Sequence, residues 1–590
     1  MKAEFSKQSA TQNKLAAIIL LNLLLGLPGL WVPYYNIDEL TNALHARLLQ
    51  SGDLDLRDFL GSTYLLTHYL YHWVYVFFEH NSLVPMHIFH VLWKSLTILA
   101  LFWAGSKLDD RRTGLWAALF YCVFSQTFMS KDFHTPSAES LSLLPAALCA
   151  GVFFHGIKKG SAWAFFVSGC LVAVATLFKA PIGVIGLAMA ISVLMMGEQI
   201  ILRWILLMLG FCVVLFFPAL FVSPLGQGFA LMWTKVTETN ATYIESHSGL
   251  SQLYWVLKFF IRTGLVFACA LGMTAFSFYG MRSVFRIHNK HRDIWQKIFF
   301  LSLWLILVWF TVALGKRVFY HYYVFLLVPL SLLAASGIKR FDTRLRAAIA
   351  HGDNIKSNRN LHHQAAVSLL FFIRKRLTFF IVLPLAVFFF EGAFNISTMP
   401  NDVDKAIDYV NKNTTPKDRI YIWGNVPQLY FYSERLPSTA YFWSDILAGT
   451  SPGSPAMEYV RATGQDLKVT EMLQNDFDPT PFSKRNPQAF TMPKNFSRIG
   501  ESELFTVPEL LARIDHPYWQ KVFADFLLRP PTLFIDSSPA NIRGFGYYPI
   551  HRYELLKRFV LDNYVLEKVV DGLIIYRIKK DRVGLMTGGI

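Results

Sequence analysis

Long apolar runs separated by short polar segments dominate the chain up to residue 396. About 20 apolar residues cross the hydrocarbon core of a bilayer as a helix, and eleven runs approach that length: 15–31, 86–105, 113–129, 139–157, 161–178, 181–197, 202–222, 256–280, 297–315, 319–338 and 377–396. Segment 64–80 is apolar too, but it carries three histidines and a glutamate. We therefore expect 64–80, like the shorter segment 39–50, to lie in the membrane interface.

From residue 397 onward the pattern changes. Residues 402–413 have apolar positions at helical spacing, and a second helix is predicted near 552–562. Short strands are predicted at 419–424, 532–536, 564–569 and 573–578. Alternating helices and strands predict a small α/β domain, so the chain divides into a membrane region, 1–396, and an α/β domain, 397–590.

Composition agrees with this division. The 590 residues are 53% hydrophobic and only 16% charged, which is too apolar for one soluble domain. The formal net charge of +16 comes from basic residues in short loops between apolar runs, so it indicates membrane orientation and not a nucleic-acid partner. All five cysteines fall inside apolar runs and predict neither disulfides nor a metal site.

The basic loops set the predicted topology. If 64–80 does not cross and the N-terminus is cytoplasmic, the basic loops all fall inside, including the strongly basic loop 339–376. Eleven spans then place the loop 223–255 and the α/β domain outside. The same topology brings Asp38, Glu139, Lys179 and the start of the 319–338 span to the external face.

Acids and bases at a membrane boundary favour a functional site. Asp38 and Glu39 follow the first span, Glu139 begins another, and Lys179 lies in a turn between two. Each also has a structural reading: Asp38 as a helix N-cap, Glu39 as a match to the helix dipole, Glu139 as a solvated helix end, and Lys179 as a snorkelling lysine.

The order of these motifs resembles the protein O-mannosyltransferase superfamily, which includes the lipid A aminoarabinose transferases. The matching segments are Tyr35-Asn-Ile-Asp38-Glu39, an interfacial helix with Leu70 and Trp73, Pro136-Ser-Ala-Glu139, Phe178-Lys179-Ala-Pro181-Ile-Gly183 and Arg317-Val-Phe-Tyr-His321-Tyr322. The resemblance covers about residues 10–400. It implies a C-type glycosyltransferase fold, a polytopic α-helical membrane protein with about 11 transmembrane helices and a C-terminal extracytoplasmic α/β domain.

The resemblance also implies a reaction: transfer of a sugar from a polyprenyl phosphate, undecaprenyl phosphate in a bacterial inner membrane, to a hydroxyl of a lipid, glycan or protein. Asp38 would be the catalytic base, with inversion at the anomeric carbon, and Glu139 the second acid. Glu39, His68 and His247 would bind substrate. The lipid phosphate would be held by Lys179, Arg317, His321 and Tyr322.

The chain departs from the aminoarabinose transferases in two places. Their Lys-Pro-Pro in the first loop is replaced by Thr67-His68-Tyr69, and loop 223–255, which relatives use as a mobile cover, lacks their acidic-and-Arg pattern. Neither the aminoarabinose donor nor the lipid A acceptor of those enzymes is therefore implied. His68 and His72 have the spacing of two metal ligands without a third, so we predict no metal site and no obligatory cofactor, and leave a divalent cation open.

Two other functions fit parts of the pattern. A ligase or polymerase using a lipid diphosphate donor is compatible with the same basic residues. A lipid or solute transporter should show internal repeats or paired broken helices, and the sequence has no repeat. The prominent acids lie at span ends on one face, which favours an enzyme.

Overall fold

The structure, a computed structural model, describes most of the chain. The described residues are 2–32, 37–59, 64–78, 81–125, 134–197, 199–222, 227–234, 250–282, 292–314, 319–354, 384, 386, 403–448, 517–547, 549–550 and 553–580.

The membrane region is helical. Its α-helices are α1 Lys2–Gly26, α2 Ile37–Gln50, α3 Leu56–Phe59, α4 Leu65–Phe77, α5 Val84–Leu108, α6 Arg111–Phe124, α7 Ala138–Leu141, α8 Leu143–Lys159, α9 Ala162–Phe178, α10 Val184–Leu194, α11 Ile200–Phe216, α12 Leu250–Cys269, α13 Leu271–Arg282, α14 Arg292–Leu314 and α15 Leu327–Asn354. Short 3₁₀ helices join them at Leu27–Trp31, Ala180–Gly183, Phe217–Phe221 and Tyr320–Leu326.

Several of these helices have the length and apolar character of membrane spans. Among the described residues there are six, or up to seven if the pair α12 and α13 counts as one span. That pair is bent by 98°, so the run 256–280, expected to form one span, is broken near Ala270. The runs 113–129, 161–178 and 181–197 form shorter helices, and 377–396 lies outside the described residues. The total of eleven spans stays a prediction.

Small residues let neighbouring membrane helices approach closely. Where α9 crosses α11, a Cβ on Gly169 would lie 2.0 Å from the carbonyl oxygen of Leu207, and one on Gly210 would lie 2.1 Å from that of Phe166. Lipid tails are as apolar as helix surfaces, so such close van der Waals packing is what holds membrane helices together.

The C-terminal region is an α/β domain built on a five-stranded sheet of order β2-β1-β3-β5-β4. Strands β1, β2 and β3 are parallel, while β3, β5 and β4 pair antiparallel. Asp571 and Gly572 both have positive φ and form the tight turn between β4 and β5. The elements are α16 Asp404–Asn413, β1 Arg419–Trp423, α17 Pro427–Ser433, β2 Leu436–Pro437, α18 Asp445–Ala448, α19 Pro517–Leu528, β3 Leu533–Asp536, α20 Glu554–Asn563, β4 Tyr564–Val570 and β5 Leu573–Ile578, with a 3₁₀ helix at Ile542–Tyr547.

One hydrophobic core joins α2–α4 to the sheet, with buried residues such as Leu40 and Leu44 in the same cluster as Ile420 and Ile422. Polar contacts reinforce the junction: Trp443 Nε1 donates to Thr41 Oγ1 at 2.7 Å. Asp53 also pairs with Arg419 at 2.6 Å and with Arg529. The core therefore crosses the boundary at residue 396 that the sequence predicts between the two regions.

Candidate active site

Asp38 lies in the first turn of α2, directly after the segment that follows the first span. Its side chain is exposed, whereas the side chain of the next residue, Glu39, is fully buried. Successive residues of a helix point about 100° apart, so the two acids of this pair face different surroundings. Asp38 is thus the acid of the pair that a substrate can reach.

Glu139 and Lys179 form the second part of the site. Ser137 caps α7 by accepting a hydrogen bond from the Ser140 backbone N–H, and this places Glu139 in the first turn. Lys179 lies where α9 ends and the chain turns into a 3₁₀ helix. Both side chains are buried, and Lys179 Nζ lies 3.0 Å from Glu139 Oε1. That oxygen accepts no well-aligned hydrogen bond within the described part of the chain, so it retains acceptor capacity.

Aromatic rings surround the Lys179 ammonium. Nζ donates a hydrogen bond to the Tyr64 hydroxyl and lies 3.8 Å from the centroid of the Tyr64 ring. The ring of Tyr322 is 5.6 Å from the same atom, and its own neighbour is His321, at 4.6 Å between ring centroids. On the same 3₁₀ helix, the centroid of the Tyr320 ring lies 4.6 Å from the guanidinium carbon of Arg262, a residue of α12. Lys179 and Arg262 are thus stabilised by the faces of tyrosine rings, and Lys179 also by the Glu139 carboxylate.

Charged groups from four other segments of the chain act on the Asp38 carboxyl group. Desolvation by the surrounding protein raises the pKa of the Asp38 carboxyl, and the negative charge of Glu139 raises it further. The positive charges of His321, Lys179 and Arg543 lower it, so the net result is a pKa above the usual value for an aspartate. An exposed carboxylate with a raised pKa, near cations from three other segments, is suited to act as a general base.

Glu39 and His68 do not join this group. Glu39 Oε1 lies 2.5 Å from His87 Nε2 in a buried pair, and the substrate contact expected of Glu39 stays a prediction. The centroid of the His68 ring lies 4.6 Å from that of the His45 ring and 4.7 Å from that of the Phe59 ring, and only 5% of His68 is exposed. Burial holds the pKa of His68 well below its usual value, and the substrate-binding role expected of His68 stays a prediction. No group of three metal-ligating side chains occurs among the described residues.

Two candidates, Arg317 and His247, lie outside the described residues. The structure adds three residues that sequence reasoning missed: Tyr64, His87 and Arg543. Tyr64 stands one turn before His68 on the predicted interfacial segment, which was its only signal. Arg543 belongs to the α/β domain, about 500 residues after Asp38 in the sequence, and has a backbone φ of 57°. No sequence motif predicts that it approaches Asp38.

The chain matches a known protein family over part of its length. Residues 65–222 match the family described as dolichyl-phosphate-mannose-protein mannosyltransferase. This segment includes Glu139 and Lys179 and lies inside the region where the motifs resemble the protein O-mannosyltransferase superfamily. The resemblance drawn from the sequence is thereby confirmed. No curated protein sequence matches the chain.

Solved structures resemble the fold. An oligosaccharyltransferase from Archaeoglobus fulgidus in the apo form has a TM-score of 0.50 at 10% identity and covers 97% of this chain and 74% of that chain. The same oligosaccharyltransferase tethered to an acceptor peptide gives a TM-score of 0.50 at 10% identity. The match covers 98% of this chain and 75% of that chain. ArnT from Cupriavidus metallidurans bound to undecaprenyl phosphate is 14% identical over 72% of this chain and 85% of that chain, with a TM-score of 0.48. The fold class, a helical membrane region with a C-terminal α/β domain, is confirmed.

Proposed function

We propose that this chain, which resembles the protein O-mannosyltransferase superfamily, is a multi-pass membrane glycosyltransferase that uses a polyprenyl-phosphate-linked sugar. The observation that carries the proposal is the convergence of Asp38, Glu139, Lys179 and His321 from four separate segments of the chain. The family match over residues 65–222 supports the same class of reaction.

The resemblance implies an inverting transfer, and we propose the following roles for the site residues. Asp38, the exposed carboxylate, removes the proton of the acceptor hydroxyl as that oxygen attacks the anomeric carbon. The bond between the anomeric carbon and the phosphate oxygen breaks, and the polyprenyl phosphate leaves with the bonding electron pair. Lys179, His321 and Tyr322 offer the cation and donors that stabilise the negative charge on that phosphate. Glu139 positions the Lys179 ammonium and accepts hydrogen bonds from sugar or acceptor hydroxyls.

We infer the donor and the location from the resemblance. The matched family is described as dolichyl-phosphate-mannose-protein mannosyltransferase, which supports a lipid-linked donor. We place the protein in a bacterial inner membrane with its N-terminus cytoplasmic, its site and α/β domain periplasmic, and undecaprenyl phosphate as the carrier. The polyprenyl tail would lie along the apolar helices, where each buried CH₂ contributes about 0.8 kcal/mol.

The test uses purified protein in lipid with a panel of radiolabelled polyprenyl-phosphate sugars and membrane extract as acceptor. Wild type transfers label, and Asp38→Asn lowers the rate by about 100-fold or more, because a positioned base contributes about that much. Asp408→Asn, an exposed aspartate of α16, is the matched control and keeps the wild-type rate. Including lipid diphosphate donors separates the alternative: transfer from diphosphates alone would indicate a ligase, and a fully active, folded Asp38→Asn would remove Asp38 as the base.

A further inference from the structure

Helix α5 carries a row of polar side chains that bond to segments outside their own helix. His87, His90 and Trp93 lie three residues apart along its first three turns, and Lys94 lies four residues after His90. Three of them are at least 97% buried. In a helix of spanning length, buried polar groups of this kind are costly and call for an explanation. None of the four has a part in the transfer step described above.

His87 holds the segment that carries Asp38 from both sides. Its Nδ1 lies 2.9 Å from the carbonyl oxygen of Gly29, and its Nε2 lies 2.5 Å from Glu39 Oε1. A carbonyl only accepts, so Nδ1 donates to Gly29, while Nε2 forms a hydrogen bond with the Glu39 carboxyl group. Gly29 precedes Asp38 and Glu39 follows it directly, so one imidazole ties together the two ends of the loop that presents the base.

The next residues of α5 hold the segment that carries Glu139. His90 Nδ1 donates to the carbonyl oxygen of His134 at 3.0 Å, and Trp93 Nε1 donates to that of Leu141 at 2.9 Å. These two carbonyls lie on either side of Glu139 in the sequence. Lys94 adds a bond of 3.0 Å to the carbonyl of Ser125, at the end of α6. One face of one helix therefore fixes the backbone around both carboxylates.

We infer that α5 acts as a strut which sets the separation and orientation of Asp38 and Glu139, with His87, His90 and Trp93 as positioning residues. The reaction in question is the one proposed above, and the inference rests on it for its kinetic consequences. A displacement of about 1 Å at reacting groups costs about 100-fold in rate, so these hydrogen bonds act on catalysis through groups that never touch substrate.

The kinetic test removes the hydrogen bonds of the strut one at a time. His87→Gln keeps a donor toward Glu39 and loses the bond to Gly29, His87→Asn does the reverse, and Trp93→Phe removes only the indole N–H. Each variant is expected to lower kcat by about 10- to 100-fold relative to wild type. The KM for the donor is expected to stay within about twofold of the wild-type value, because the residues that bind the donor are unchanged. His155→Asn on α8 and Trp163→Phe, 70% exposed on α9, are matched controls that keep wild-type kinetics.

A second readout needs no transfer activity. In the Asp38→Cys/Glu139→Cys background, bifunctional thiol reagents of graded length report the separation of the two positions. We expect one preferred length with the intact strut and a broadened or shifted preference when Trp93→Phe or either His87 variant is added. If wild type transfers no sugar but the cross-linking shifts, the proposed reaction fails and the strut stands.

Unchanged kcat together with unchanged cross-linking in folded variants would overturn the strut. A fall in kcat that the His155 or Trp163 control shares would overturn it too, since a general loss of stability would then explain the rates. If the His87 variants do not fold, Trp93→Phe decides alone, because its ring contacts with Phe89 and Phe178 are preserved.

Discussion

At the residue scale, the charges around Asp38 act on its carboxyl group in opposite directions. Desolvation and the Glu139 carboxylate raise its pKa, while His321, Lys179 and Arg543 lower it. Lys179 and His321, which would stabilise a departing phosphate, therefore also oppose the rise in the pKa of the Asp38 carboxyl. Removing one neighbour at a time separates these contributions.

Two substitutions are expected to move the acidic limb of the pH–rate profile in opposite directions. A base works when deprotonated, so kcat/KM rises with pH through the pKa of Asp38. Glu139→Gln removes a negative charge, lowers that pKa and moves the limb to lower pH by about one unit, whereas Lys179→Met removes a positive charge and moves it to higher pH.

The measurement is the normalised pH dependence of kcat/KM for the labelled donor in each variant. Asp408→Asn, far along the chain in α16, keeps the wild-type limb. Shifts of the same sign in both variants would mean that the limb reports a group other than Asp38.

At the element scale, the membrane helices depend on close approach more than on burial of apolar surface. The crossing of α9 and α11 places backbone carbonyls about where a side chain would begin on Gly169 or Gly210. Because α9 ends at the residue before Lys179, its position also sets that of the ammonium. Local helix packing and the geometry of the site are thus coupled through one element.

Gly169→Ala is expected to lower the stability of the folded protein, even though alanine is the better helix former. The added methyl group meets the Leu207 carbonyl oxygen at 2.0 Å, and overpacking of this kind costs about 1–3 kcal/mol. Thermal unfolding in detergent, followed by loss of soluble folded protein, measures the effect.

The matched control is Gly264→Ala on α12, where a Cβ meets nothing within 4 Å. There the gain in helix propensity is unopposed, so the midpoint of unfolding stays or rises. Equal losses in the two variants would contradict the close approach of α9 and α11.

At the scale of the whole molecule, the α/β domain and the membrane region form one folded unit. Helices α2–α4 share a hydrophobic core with the sheet, and Arg47 donates to the carbonyl of Phe431 at 3.0 Å while stacking on its ring. The element that presents Asp38 is therefore clamped between α5 on one side and the α/β domain on the other. Arg543 reaches the neighbourhood of Asp38 through this docking.

The predicted topology has a direct test in cysteine labelling. Basic residues near the ends of spans favour the cytoplasm, so Ser357→Cys, in the basic segment that follows α15, reacts with an impermeant maleimide only after the cells are opened. Asn411→Cys, exposed on α16, reacts in intact cells once the outer barrier is permeabilised.

The native cysteines lie in apolar runs and give a low background, which wild type measures. Labelling of both positions from the same side would show that the number of crossings between them is even, against the prediction of one span at 377–396.

Much of the fold follows from local patterns. Apolar runs and charge placement mark the helices, and the alternation after residue 397 marks helices and strands that match α16, β1, β3, α20, β4 and β5. Asp38, Glu139, Lys179, His321 and Tyr322 come together as their shared sidedness suggests. The bent pair α12–α13 could not be read from composition, because both halves are equally apolar and the 98° turn is set by packing.

The sequence by itself determined the element types, the membrane character and the chemistry of the exposed acids and bases, because these depend on the residues within each segment. Only the tertiary structure decided that Glu39 pairs with His87, that Tyr64 lies against Lys179, and that Arg543 approaches Asp38. Those contacts join residues dozens to hundreds of positions apart. Their existence depends on how whole helices and the sheet pack together, which no local pattern records.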